Sequence, residues 1–141
     1  MQITLAERLE SLKAGILGAA GFTSVYLFFV ALHYFLAQES YPFISILVKV
    51  FVSALSGFLF AVTYRYVIRD DDNPHLKDGA VAAFSLVRGL VPLQWGDGST
   101  MEALLLCLFL GESFICFLLT RWLIDRGFES GFVKPLMPNH L

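Results

Sequence analysis

Three long apolar runs restrict this chain more than any other feature. The first is AGILGAAGFTSVYLFFVALHYFLA, Ala14 to Ala37; the second is FISILVKVFVSALSGFLFAVTY, Phe43 to Tyr64; the third is MEALLLCLFLGESFICFLLTRWLI, Met101 to Ile124. A helix crosses the hydrocarbon of a bilayer with about 20 apolar residues, so each run is long enough. Composition agrees: 57% of residues are hydrophobic, 16% are charged, and the mean hydropathy is +0.68. Soluble domains hold about 45–50% apolar and about 25% charged residues. A single domain of 141 residues cannot bury that excess in a water-soluble core, and the lipid bilayer is the solvent expected for it. The net charge of −2 argues against nucleic acid as a partner, because phosphate binding needs a clustered basic surface.

A fourth run, AFSLVRGLVPL from Ala83 to Leu93, is apolar yet carries Arg88. From Gly79 to Leu93 it rises only about 22 Å as a helix; extended from His75 to Trp95 it reaches about 30 Å. Lys77 and Asp78 then sit at one headgroup layer and Trp95 at the other. Charge placement decides the matter, since cytoplasm-side loops carry Lys and Arg and translocated loops do not. With four spans and the N-terminus inside, the inside segments hold Arg8 and Lys13, then Arg65, Arg69 and Lys77, then Arg121, Arg126 and Lys134. The outside loops QESYP and QWGDGST hold none. The expected fold is therefore all-α: one polytopic membrane domain over 1–141 with four transmembrane helices. The spans fall at about 14–37, 43–66, 76–95 and 100–124, with both termini cytoplasmic.

The hairpins repeat. LKAGILGAA before the first span is similar to LKDGAVAAF before the third, and YRYVIRD after the second to TRWLIDR after the fourth. A tandem duplication of a two-helix unit in one orientation accounts for both. TLAE, Thr4 to Glu7, reads as a capping box that opens a short interfacial helix over 1–12, with Leu5, Leu9 and Leu12 on one face, and this helix runs into the first span. This start lacks a small-residue cleavage site and is not read as a removed signal peptide. STME, Ser99 to Glu102, is a second capping box, and Asn73 caps a helix opened by Pro74. The segment 125–141, rich in Gly and Pro, reads as an irregular tail.

Charges inside spans are functional candidates by default. Lys49 and Arg88 each lie about 10 Å from the outer end of a span, so both can snorkel outward. Glu112 lies about 18 Å down the fourth span, within loose reach of Arg88. An Arg88–Glu112 pair would fix helix register; conduction is the lesser reading, because one acid and one base make a poor relay. His33 in ALHYF is weighed as a haem or chlorophyll ligand, since neutral imidazole binds metals. A lone histidine beside Tyr34 reads better as an interfacial residue, so no cofactor is expected. Cys107 and Cys116 are about 13 Å apart on one helix, too far to bridge, and read as small apolar side chains. The DDDN run at Asp70 to Asn73 lacks the spread ligands and turn glycine of a calcium loop, and reads as a solvated loop with a cap.

Small residues recur every fourth position. Ser53, Gly57 and Ala61 do so on the second span, Gly15 and Ala19 on the first, and Gly79 and Ala83 on the third. Such faces let helices approach closely, within the chain or against another integral membrane protein. No nucleophile motif, phosphate loop or paired metal ligands appear, and the loops are too short for a soluble catalytic domain. A non-catalytic accessory or assembly protein of a larger membrane complex is expected, not an enzyme. The alternative is a small oligomeric channel or transporter using Lys49, Arg88 and Glu112.

The layout, with LKAG at 12–15, LKDG at 76–79 and VRGLVPLQWGDGS at 87–99, resembles small thylakoid membrane proteins of cyanobacteria and chloroplasts. That resemblance implies a thylakoid location, a stromal side for the termini and an accessory role near photosynthetic complexes. It implies no site residues.

Overall fold

The structure, a computed structural model, describes residues 5–38, 41–68, 73–91 and 99–136. It is all-α, with four helices: α1 (Leu5–Ala37), α2 (Phe43–Val67), α3 (Pro74–Gly89) and α4 (Thr100–Glu129). Three of them, α1, α2 and α4, are long and apolar enough to cross a membrane. Only 17% of the most apolar stretch of α1 and of α2 is buried, and 22% of that of α4. Their apolar residues therefore face outward, as in an integral membrane protein. Phe28, Phe35, Phe51 and Leu104 are among the large side chains left exposed.

Local chemistry sets the helix ends. Asn73 Oδ1 accepts from the His75 N–H at 3.0 Å, and Pro74, which has no N–H to satisfy, follows it at the first helical position. Ser99 Oγ accepts from the Glu102 N–H at 3.3 Å. Pro42, extended at φ −61° and ψ 145°, starts α2. Gly131, at φ 72°, ends α4, and its N–H donates to the Phe128 carbonyl at 3.1 Å.

The amphipathic start runs into the first span, as the sequence suggests: α1 is unbroken through 33 residues, about 50 Å against about 30 Å of hydrocarbon. Nothing between Leu5 and Lys13 breaks a helix, so the start and the span share one rod. One expectation about the ends is corrected: the segment from 125 is not an irregular tail. Helix α4 continues to Glu129, and the chain after Gly131 folds back to bury Val133 and Leu136. Other expectations fall outside the described residues: Thr4 of the first capping box, the loop residues Glu39 and Ser40, Arg69, the run Asp70 to Asp72, the end of the third span with Trp95 and its following loop, and the tail beyond 136.

Helices α1 and α2 form an antiparallel hairpin, and α3 and α4 form another; α1 and α2 also pack on α4. The α1–α2 contact is close because it is built from small residues. A Cβ at Gly18 would fall on Ala61 Cβ and the Gly57 carbonyl, and one at Gly57 on the Gly18 carbonyl and Phe22 Cβ. Ser53, also buried, sits opposite Thr23, with the two hydroxyls 3.4 Å apart. The expected face on α2, Ser53–Gly57–Ala61, is therefore the one used. On α1 the central contact is Gly18. Gly15 meets the side chain of Phe58, and Ala19 is only partly buried. On α3 the expectation of packing within the chain is not met. Gly79 and Ala83 are exposed, Gly79 with nothing within 4 Å, and the buried face is instead Val81, Ser85 and Gly89.

Below the middle of the bundle each helix contributes one phenylalanine to a single cluster. Phe22 lies 4.6 Å from Phe117 between ring centroids, Phe60 5.0 Å from Phe117, and Phe84 5.3 Å from Phe60. Phe22, Phe60 and Phe117 are buried, and their tilted and edge-on geometry is the arrangement that ring quadrupoles favour.

At one end of the bundle the polar groups interlock. Arg65, only 2% exposed, donates through Nε to the Lys134 carbonyl at 2.9 Å, and through one Nη to the Glu7 carbonyl at 3.2 Å and Ser11 Oγ at 2.5 Å. The Lys134 N–H in turn donates to Glu10 at 2.9 Å. Tyr64 donates to Asp125 at 2.9 Å, and Arg121 pairs with Asp78. This charged end joins the start of α1, the end of α2, the start of α3 and the end of α4.

Gly57→Leu is expected to lower stability by about 1–3 kcal/mol, because the backbone of α1 leaves no room for it. Gly79→Ala should leave stability unchanged or raise it by up to about 1 kcal/mol, since it adds helix propensity in open space. Unfolding of the reconstituted protein in mixed micelles measures both.

Candidate polar site within the membrane bundle

Above the phenylalanine cluster lies a second group of polar side chains, within the apolar part of the bundle. Helix α3 ends at Gly89, short of its neighbours, and Arg88 stands in its last turn. Gly89 permits the close approach to α4 here: a Cβ on it would strike Leu110. The partly buried Arg88 side chain turns into the bundle. One Nη donates to Ser56 Oγ of α2 at 2.8 Å, and the guanidinium carbon lies 5.0 Å from the Phe22 ring centroid and 5.2 Å from that of Tyr26. Both rings are within cation–π range. Ser56 accepts this bond while donating its own hydroxyl to the Val52 carbonyl at 2.7 Å.

Across the same space, Glu112 of α4 is held by α1. His33 Nε2 donates to Glu112 Oε1 at 2.8 Å, with the glutamate side chain 16% exposed. The expected Arg88–Glu112 ion pair is thus absent among the described residues. Arg88 bonds to α2 and lies against aromatic faces, and Glu112 is held by a histidine that the sequence alone reads as interfacial. The expected outward snorkelling of Arg88 is also corrected, because its head is drawn inward to Ser56. Lys49 lies apart from this group. Its Nζ sits 3.5 Å from the Tyr41 ring centroid, towards the α1–α2 turn.

Between these groups is a cavity of about 250 Å³. Tyr26, Arg88, Glu112, Ser113 and Cys116 supply its polar lining, and Val52, Val91 and Phe109 its apolar rim. All three rim residues are exposed on the outer surface of the bundle. The opening therefore faces the side of the bundle, where the bilayer would be. Cys116 is buried and Cys107 exposed, and both are free thiols. Among the described residues, no three His, Cys, Asp or Glu side chains are grouped so as to hold a metal ion. His33 Nε2 would have to leave Glu112 to bind one.

Of the sequence candidates, the structure brings Arg88 and Glu112 to one cavity and leaves Lys49 outside it. It adds His33 as the partner of Glu112, and Ser56 and Tyr26 as partners of Arg88. Ser56 and Tyr26 carry no signal as isolated residues in an apolar run. Their role depends on the register between helices.

A double-mutant cycle of His33→Ala and Glu112→Gln is expected to give a coupling of about 0.5–2 kcal/mol. The cycle of Arg88→Leu with Glu112→Gln should be additive within about 0.5 kcal/mol. Reversible unfolding in mixed micelles reads both. No family model matches the chain, and comparison with curated proteins and with solved structures finds no similar protein.

Proposed function

We propose that this chain is a non-catalytic accessory or assembly protein of a larger membrane complex, held in the bilayer by four spans. Both termini lie on the cytoplasmic or stromal side, and a thylakoid is the membrane that the sequence resemblance suggests. The observation that carries the accessory reading is the unused face of α3. Gly79, Ala83 and Val87 stand one turn apart and are all exposed, and nothing approaches Gly79. Small residues spaced in this way let a second helix come close. Among the described residues, this face of the small-residue pattern is left uncovered.

Counting α3 as a span is supported by its alignment with α4. Asp78 meets Arg121 at the charged end, and Gly89 meets Leu110 further along. Helix α3 is 16 residues long, about 24 Å, with Leu90 and Val91 continuing beyond it. In the same reading the two hairpins are a tandem repeat. Each closes with an arginine that ties its second helix to the start of its first, Arg65 to Ser11 and Arg121 to Asp78. Gly15 and Gly79 have diverged in environment.

The second reading, a channel or transporter, is favoured by the cavity that Arg88 and Glu112 share. Against it, the four phenylalanines close the bundle beneath that cavity, and Lys49 is turned away. No polar path continues from the cavity to the charged end among the described residues.

Two experiments test these proposals. With Cys107 and Cys116 replaced, single cysteines at Ser99 and Asn139 should react with an impermeant maleimide from opposite sides of sealed vesicles. Reaction from the same side would end the four-span arrangement. For function, the chain purified in mild detergent should bring stoichiometric partner subunits, and Gly79→Leu with Ala83→Leu should release them without unfolding the bundle. A homogeneous homo-oligomer that passes ions in liposomes, with flux lost on Glu112→Gln, would overturn the accessory reading in favour of the channel.

A further inference from the structure

The cavity beside Arg88 has three properties that together define a ligand. It is lined by Arg88 and Glu112, it is apolar at its mouth, and the residues of that mouth lie on the outer surface of the bundle. The guanidinium has donors to spare. Glu112, the carboxylate lining the same space, is already engaged by His33 at 2.8 Å. Among the described residues Arg88 makes one hydrogen bond, to a neutral hydroxyl, and a guanidinium carries five N–H donors. No fully buried side-chain nitrogen or oxygen lacks a partner. The remaining guanidinium nitrogens are therefore reached from the cavity. A guanidinium with aromatic faces on one side and an open space on the other has hydrogen-bond donors left for a further partner.

The fork of donors matches a planar anion with two oxygens. The rim of Val52, Val91 and Phe109 matches an alkyl chain. The volume of about 250 Å³ lies below the roughly 300–1,000 Å³ of sites that enclose a whole drug-sized ligand. It holds a head group and the first carbons, leaving the rest of a chain to lie along the outside of the bundle. We propose that this cavity is a lateral binding site for a lipid-soluble monocarboxylate, a fatty-acid-like amphiphile whose carboxylate pairs with Arg88. A diacyl phospholipid shares the anionic chemistry. Its phosphate, however, is anchored in the headgroup layer and carries two chains, whereas Arg88 lies about 10 Å inside the outer end of its span.

The test uses the full chain in nanodiscs of neutral phosphatidylcholine, with cis-parinaric acid as the fluorescent probe and its methyl ester as the uncharged control. The acid should bind saturably, and the ester should bind at least about tenfold more weakly. Arg88→Gln should bring acid binding down to the level of the ester. Val91→Trp should abolish it by filling the mouth. That variant changes an exposed rim residue outside the packed core, so it tests the site even if Arg88→Gln does not fold. Oleic acid should displace the probe, and dioleoyl phosphatidic acid should not. Equal binding of acid and ester, acid binding unchanged in either variant, or displacement by phosphatidic acid alone would each overturn the proposal. None of these results depends on whether the chain has protein partners.

Discussion

Within hydrocarbon a polar group left without a partner costs several kcal/mol, because there is no water to take its place. That constraint governs the whole arrangement. Backbone groups are satisfied by making every long apolar run a helix. Apart from Lys49, the charged side chains within the bundle are gathered into two layers. At the charged end, Arg65 is fully enclosed and spends its donors on two carbonyls and a hydroxyl. At the second layer, Arg88 and Glu112 find separate partners on α2 and α1. Each of these bonds joins two different elements, so satisfying the polar groups also fixes which helices are neighbours.

Lipid gives helices no hydrophobic reason to associate, so close packing has to come from shape. Here the shape is set by Gly18 and Gly57, which bring α1 and α2 together. The approach brings Phe22 beside Gly57 and sets it against Phe117, which starts the four-ring cluster. It also leaves the Phe22 and Tyr26 rings facing Arg88 as it reaches in from α3. A wider α1–α2 spacing would withdraw those rings and leave Ser56 as the sole partner of the guanidinium. The polar layer thus depends on glycines that carry no polar atom beyond the backbone.

The helices themselves were legible in the sequence because hydropathy and length measure the same quantity that the bilayer selects. The second span was read at 43–66 and α2 is Phe43–Val67; the caps at Asn73 and Ser99 lie where they were expected. Contacts between helices were not legible. Counting residues from span ends placed Arg88 and Glu112 near one another in depth, and they do share a cavity. Depth says nothing about rotation, however, and rotation gives Glu112 to His33. Likewise the every-fourth-residue pattern picked the correct face of α2 but Ala19 over Gly18 on α1. In a stretch as rich in small residues as GILGAAG, several faces meet the same rule. Arg65 was counted as an inside loop charge, because the buried carbonyls it serves come from the distant residues Glu7 and Lys134.

The two polar layers have different consequences. The charged end is closed: its arginine is enclosed, its tyrosine and carboxylates are paired, and the returning chain at 133–136 covers it. Closure of this kind holds the bundle in one arrangement. The second layer is open on one side. Arg88 is the last long side chain of α3, and it stands beside a cavity rimmed by the exposed Val52, Val91 and Phe109, while the aromatic cluster lies below. The result is a pocket reached from one side, which suits retention of a ligand better than conduction of one.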